Sequence, residues 1–197
     1  MRKKILAVMV VLLLAAGSAS AQLSLGGTGA VFASADQSLE SIVDLFKDGE
    51  GIFYGPFLEF GMNRIAFGVA FNWSYYSTTY GETVTKMVDY DLNGYLQGHL
   101  LSYKSFLDPF VEVGFGQIAT DYAEDDPDSS APLRATKYFQ VGGGLGVNLG
   151  NLGVFAKALY MVPADEPVLA NSGGYSYSLE EYPLKPLKFF VGAKVIL

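Results

Sequence analysis

Apolar and polar residues alternate one for one over long stretches of this chain. In residues 65–75, Ile65, Phe67, Val69, Phe71, Trp73 and Tyr75 share one parity, and Ala66, Gly68, Ala70, Asn72 and Ser74 share the other. Phe139, Val141, Leu145, Val147 and Leu149 oppose Tyr138, Gln140, Gly142, Gly144, Gly146 and Asn148 in the same way. Val88, Tyr90, Leu92, Leu96 and Leu100 oppose Asp89, Asp91, Asn93, Tyr95, Gln97 and His99. A period of two predicts β-strands with unlike faces. These runs are longer than the usual soluble strand of about 5–6 residues. They match the roughly 9–11 residues that a tilted strand needs to cross a bilayer.

The pattern predicts eight strands, at 23–34, 52–62, 65–79, 85–102, 109–122, 136–149, 153–162 and 186–197. The connections 35–51, 80–84, 123–135 and 163–185 are longer or more polar; 63–64, 102–108 and 150–152 are tight and rich in Asn, Gly, Ser and Asp. Alternating long and short connections, with both ends of the chain on one side, predict an all-β fold. It is an eight-stranded antiparallel up-and-down transmembrane β-barrel, its long loops outward and its short turns in the periplasm.

Strand phase then assigns faces. Glu59, Asp89, Asp91, Glu112, Lys157, Lys188 and Lys194 all fall opposite the bulky apolar residues. A soluble, lipocalin-like barrel would bury the apolar face and expose these charges; a membrane barrel inverts the two. Two features favour inversion. Glycine concentrates on the polar face, where a narrow lumen has little room. Aromatic residues gather towards strand ends, among them Phe53, Tyr54, Trp73, Tyr75, Tyr76, Tyr80, Tyr90, Tyr103, Tyr122, Tyr138 and Tyr160, as an interfacial girdle requires. The lumen charges should therefore form a structural ion-pair network, because a charge removed from water is costly unless paired. Lys188 and Lys194 are expected to meet Glu59 and Glu112.

Residues 1–21 read as a cleaved signal peptide. Arg2, Lys3 and Lys4 precede the apolar run 5–16, and Ala19-Ser20-Ala21 supplies the small residues of a cleavage site before Gln22. Residues 22–197 are then one outer-membrane barrel domain, reached after secretion across the inner membrane. Loss of the three N-terminal cations takes the formal net charge from -7 to about -10. Such acidity gives no attraction to nucleic acid. The chain has no Cys, so it has neither a disulfide framework nor a thiolate metal site.

The whole mature chain resembles the small outer-membrane β-barrel domain family, the eight-stranded barrels of the OmpA and OmpX type. The resemblance is carried by residues 109–116 (PFVEVGFG), 139–147 (FQVGGGLGV) and the closing strand, 188–197 (KFFVGAKVIL). It implies a Gram-negative-type cell envelope and an assembly signal in that strand, matched here by Gly192, Val195 and Leu197. Phe190 stands where the family carries a polar residue, and Leu197 where a terminal Phe is commoner. The partners so implied are outer-membrane lipid, the assembly machinery and periplasmic chaperones.

Candidate chemistry is sparse. The single histidine, His99, and Ser102 have opposite parity and cannot share a face, so the pair that nucleophilic catalysis needs is not formed. No enzyme activity and no cofactor are predicted. Glu124, Asp125, Asp126 and Asp128 match no EF-hand spacing and read as a solvated acidic loop, so no metal site is assigned. Leu39, Ile42, Val43 and Phe46 repeat at helical spacing over 35–48 and predict a short amphipathic helix. The sequence thus points to a non-enzymatic barrel with a structural, adhesion or surface-interaction role. Loops 35–51 and 163–185 are the candidates for contact with a host or cell-surface ligand. The alternative is a narrow, porin-like channel for ions or small solutes.

Overall fold

A computed structural model describes residues 22–33, 52–80, 83–122, 134–164, 168–169 and 186–197. The signal segment 1–21, the helix expected over 35–48, the acidic run 124–128 and most of loop 163–185 lie outside the described residues.

The strands are β1 (Gln22–Ala33), β2 (Phe53–Met62), β3 (Ile65–Tyr80), β4 (Thr83–His99), β5 (Leu107–Tyr122), β6 (Arg134–Leu149), β7 (Leu152–Pro163), β8 (Val168–Leu169) and β9 (Leu187–Ile196). Each of β1 to β6 pairs antiparallel with the next. β9 pairs with β7 on one side and with β1 on the other, from Ser24↔Ile196 to Ala33↔Leu187. This last ladder closes the sheet, so eight strands form a barrel with no free edge. β8 lies outside the eight and adds a two-residue pairing to Arg134 and Ala135 of β6.

The strands start and stop within three residues of the predicted bounds. Two differences matter. β3 and β4 remain paired up to Tyr80↔Thr83, so residues 81–82 alone connect them rather than the expected 80–84. Of the residues expected in the connection, Thr83 and Val84 are β-branched and suit a continuing ladder. At the other end, β4 stops at His99 instead of 102, and the chain folds inward across the barrel mouth before β5 begins.

The faces follow the alternation. Most outward residues are apolar and exposed, as at Val69, Leu92, Val111, Phe139 and Val154, each more than half exposed; Val31, Ala33 and Val88, of the same parity near the long connections, are buried. Inward residues are buried and largely polar. Trp73 stacks edge-on against Tyr54, and Phe71 stacks with Tyr90, so part of the expected girdle stands on the outer wall of β2, β3 and β4. Phe53, Tyr103 and Tyr138 do not belong to it. All three are buried inside the barrel, because Phe53 and Tyr138 share the inward parity and Tyr103 is carried inward by its turn. The side chains of Tyr76, Tyr80 and Tyr122 lie outside the described residues.

Inward glycines make room for these rings. A Cβ on Gly68 would stand 2.5 Å from Tyr95, and one on Gly61 would stand 2.5 Å from Tyr103. Gly68→Ala is therefore expected to destabilise the barrel by about 1–3 kcal/mol through overpacking. Urea unfolding in lipid vesicles reads the loss, and an unchanged midpoint would show that Tyr95 can yield.

Candidate functional site in the barrel lumen

Inside the barrel the polar side chains form stacked layers. Nearest the long connections is an apolar cap of Ala30, Phe53, Leu159 and Phe190, with Phe32 packed against it. Below it, Asp91 accepts hydrogen bonds from Lys188 Nζ, from the Tyr138 hydroxyl and from Asn93 Nδ2 at 3.2 Å. Asn72 Nδ2 reaches the same carboxylate at 3.5 Å while accepting from Thr28 Oγ1 at 2.6 Å.

The middle layer is built on Glu112. Lys157 Nζ donates to both of its oxygens, at 2.8 and 3.0 Å. Gln97 Nε2 donates at 2.8 Å and Gln140 Nε2 at 3.0 Å. The third layer is built on Glu59, which accepts from Lys194 Nζ at 3.0 Å and from the hydroxyls of Tyr95 and Tyr103. Last, at the mouth with the short turns, His99 Nδ1 and Asp108 Oδ1 stand 2.7 Å apart.

The three ammonium groups also sit over aromatic faces, an arrangement that further offsets lost hydration. The Phe190 centroid is 4.6 Å from Lys157 Nζ and 4.6 Å from Lys188 Nζ. Lys194 Nζ lies 4.1 Å from the Tyr103 centroid. Asp91, Glu112 and Glu59 thus each have one cation and two or more neutral donors, the condition under which buried charge is tolerated. Between the lower layers a cavity lined by Thr28, Glu59, Tyr95, Gln97, Lys157 and Lys194 has a volume of about 10 Å³. That is about the space of one water molecule.

Six of the seven predicted lumen charges are brought together: Glu59, Asp91, Glu112, Lys157, Lys188 and Lys194 are all buried and paired. The partners differ from expectation in one respect. Lys188 meets Asp91, and Glu112 is taken by Lys157. Lys188 and Lys194 lie at opposite ends of β9, so they stand at different heights and reach different layers. Asp89 is half-buried towards the long-connection end, opposite Ser74 and Thr120.

The sequence reading missed Asp108, which was placed in a turn and here stands in β5 with the inward parity of Phe110 and Glu112. It missed the hydroxyls of Tyr95, Tyr103 and Tyr138 as well. Burial and the adjacent Glu59 carboxylate hold the Tyr103 phenol well above its ordinary pKa, so it remains a donor. His99 is buried while Ser102 is exposed in the turn, so the two are not assembled.

A protein of known structure now bears on this geometry. The N-terminal β-barrel domain of Pseudomonas aeruginosa OprF superposes with a TM-score of 0.51 at 11% identity, covering 89% of this chain and 97% of that domain. Neisserial surface protein A superposes with a TM-score of 0.52 at 12% identity, covering 89% and 96%. This chain has the fold of the small eight-stranded outer-membrane β-barrels. Its sequence matches no protein-family model and no curated protein. At 11–12% identity the likeness carries the fold, and the layered lumen must be judged on its own contacts.

Of the residues expected to form an assembly signal, Val195 and Leu197 point outward and are exposed, while Gly192 faces inward beneath the Phe155 ring. Phe190 is buried, with the Lys157 and Lys188 ammonium groups each 4.6 Å from its ring centroid.

Removing one partner of a buried pair is expected to cost about 3–5 kcal/mol. Lys188→Met should do so by stranding Asp91. The double variant Asp91→Leu/Lys188→Met should recover most of that loss, and urea unfolding in vesicles compares the two. Equal stability of the single and double variants would show that the pair is not coupled.

Proposed function

We propose that the chain is a non-enzymatic outer-membrane β-barrel with a structural or surface-contact role, delivered to the membrane behind a cleaved signal at 1–21. The observation that carries this reading is the filled lumen. Three neutralised ion-pair layers and a cavity of about 10 Å³ make the interior a core rather than a conduit. Glu59, Asp91, Glu112, Lys157, Lys188 and Lys194, with Asp89 at the rim, act in it as a structural network that ties together strands that are not neighbours. An exposed apolar outer wall supports the membrane location, since such a wall is stable only against lipid.

Surface contact is assigned to the long connections. Residues 34–51, 81–82, 123–133 and 165–185 carry fourteen acidic residues against Lys47 and Lys185. Ligands at a cell or host surface would meet segments 35–51 and 163–185 first, and charge complementarity favours a cationic one. Gly192, Val195 and Leu197 would serve earlier, as the strand read by the assembly machinery after periplasmic chaperones release the chain.

Planar-bilayer recording separates this reading from a channel. Purified, refolded protein is expected to give no reproducible unitary conductance steps. Steps of constant size that change in Glu112→Gln would establish the porin-like alternative instead. Deleting 35–51 or 165–185 should reduce cell binding while leaving folding intact; binding that survives both deletions would move the contact elsewhere.

A further inference from the structure

The end of the barrel with the short turns differs in charge from the rest of the molecule. Its three connections, 63–64, 100–106 and 150–151, carry two charged side chains, Arg64 and Lys104, and no carboxylate, in a chain with 20 Asp+Glu. Both cations are exposed. The turns that carry them are joined through the backbone. His99 N donates to Arg64 O at 2.7 Å, and Tyr103 N donates to Asn63 O at 2.7 Å, so the two turns are hydrogen-bonded together.

The longer turn is rigidly anchored. Tyr103 is 1% exposed, with its hydroxyl bonded to Ser24 and Glu59 inside the barrel. Asn148 Nδ2 donates to the carbonyls of Tyr103 and Ser105 from the opposite side. With Tyr103 fixed inward, its neighbour Lys104 points out. The same turn, 100–106, exposes Leu100 at 64%, Leu101 at 45% and Phe106 at 65%. Large apolar side chains so placed on a water-facing turn would be unfavourable, but they suit the boundary between acyl chains and headgroups.

We infer that Arg64 and Lys104 form a binding site for the phosphate headgroup of an anionic phospholipid in the leaflet at this end. The site rests on the membrane-spanning reading given above. Leu100, Leu101 and Phe106 set the depth of the turn in the acyl boundary, and the two cations then lie at headgroup height, where an anionic lipid complements them.

Phosphatidylglycerol is the probe, with phosphatidylcholine of the same chain length as reference. Native mass spectrometry of the refolded barrel in detergent gives the ratio in which the two lipids are retained. Wild type is expected to prefer phosphatidylglycerol. Each of Arg64→Gln and Lys104→Gln should lower the ratio about fivefold, from the roughly 1 kcal/mol that a basic side chain gains near an anionic surface. Arg64→Lys/Lys104→Arg should keep it. A preference that survives Arg64→Gln/Lys104→Gln, or that is lost instead in Lys86→Gln/Lys137→Gln at the opposite rim, overturns the site. Insertion into phosphatidylcholine vesicles, scored by resistance to unfolding in SDS gels, is measured alongside. An inserted wild type without lipid preference rejects the site alone, whereas failure to insert rejects the membrane reading and the site with it.

Discussion

The fold depends on neutralising charge in a space that has no bulk water. Strict alternation sends every second residue inward, and the narrow lumen of eight strands leaves these side chains only one another to meet. Three carboxylates and three ammonium groups cancel there, each pair reinforced by amide or phenol donors. The pairs also join strands that are not neighbours: Asp91 of β4 with Lys188 of β9, Glu112 of β5 with Lys157 of β7, and Glu59 of β2 with Lys194 of β9. Backbone ladders hold each strand to the next, while these bridges reach further: Asp91–Lys188 spans opposite walls, and the other two each skip one strand. β9, which closes the sheet, supplies two of the three cations, so closure of the barrel and neutralisation of its interior happen together.

This packing accounts for Phe190 in the closing strand. A polar residue at position 190 would face an apolar cap on one side and two ammonium groups below. Phe190 satisfies both, since its ring packs with Phe53 and Leu159 and presents its π faces to Lys157 and Lys188. Inward glycines serve the same packing. Gly61 and Gly68 leave the space that Tyr103 and Tyr95 occupy, and those two rings bring their hydroxyls to Glu59.

The strands and their faces were legible in the sequence because a period of two survives any change of register. Height along the barrel axis was not. Parity tells that Lys188 points inward, but only the stagger of the ladders sets it beside Asp91 rather than Glu112. The aromatic misassignments have a related cause. A ring near a strand end belongs to the lipid girdle or to the lumen according to parity alone, and Tyr138 shares its parity with Gln140. Tyr103 lies in a turn, where parity does not apply, and only the hydrogen bonds of that turn carry it inward. Asp108 was lost by beginning the fifth strand two residues late. The loops, which would name a ligand, carry one helical repeat over 35–48 and otherwise no period to read.

Everything follows from the sheet being inside-out, with apolar side chains towards lipid and charges within. The chain has no cysteine, so single cysteine variants at each position from 138 to 149 can be labelled with a fluorophore in the refolded barrel. Quenching by a bilayer-embedded quencher should alternate, strong at 139, 141, 145 and 147 and weak at 138, 140, 144 and 148. Quenching that is uniform, or strong at the even positions, would contradict the inverted barrel.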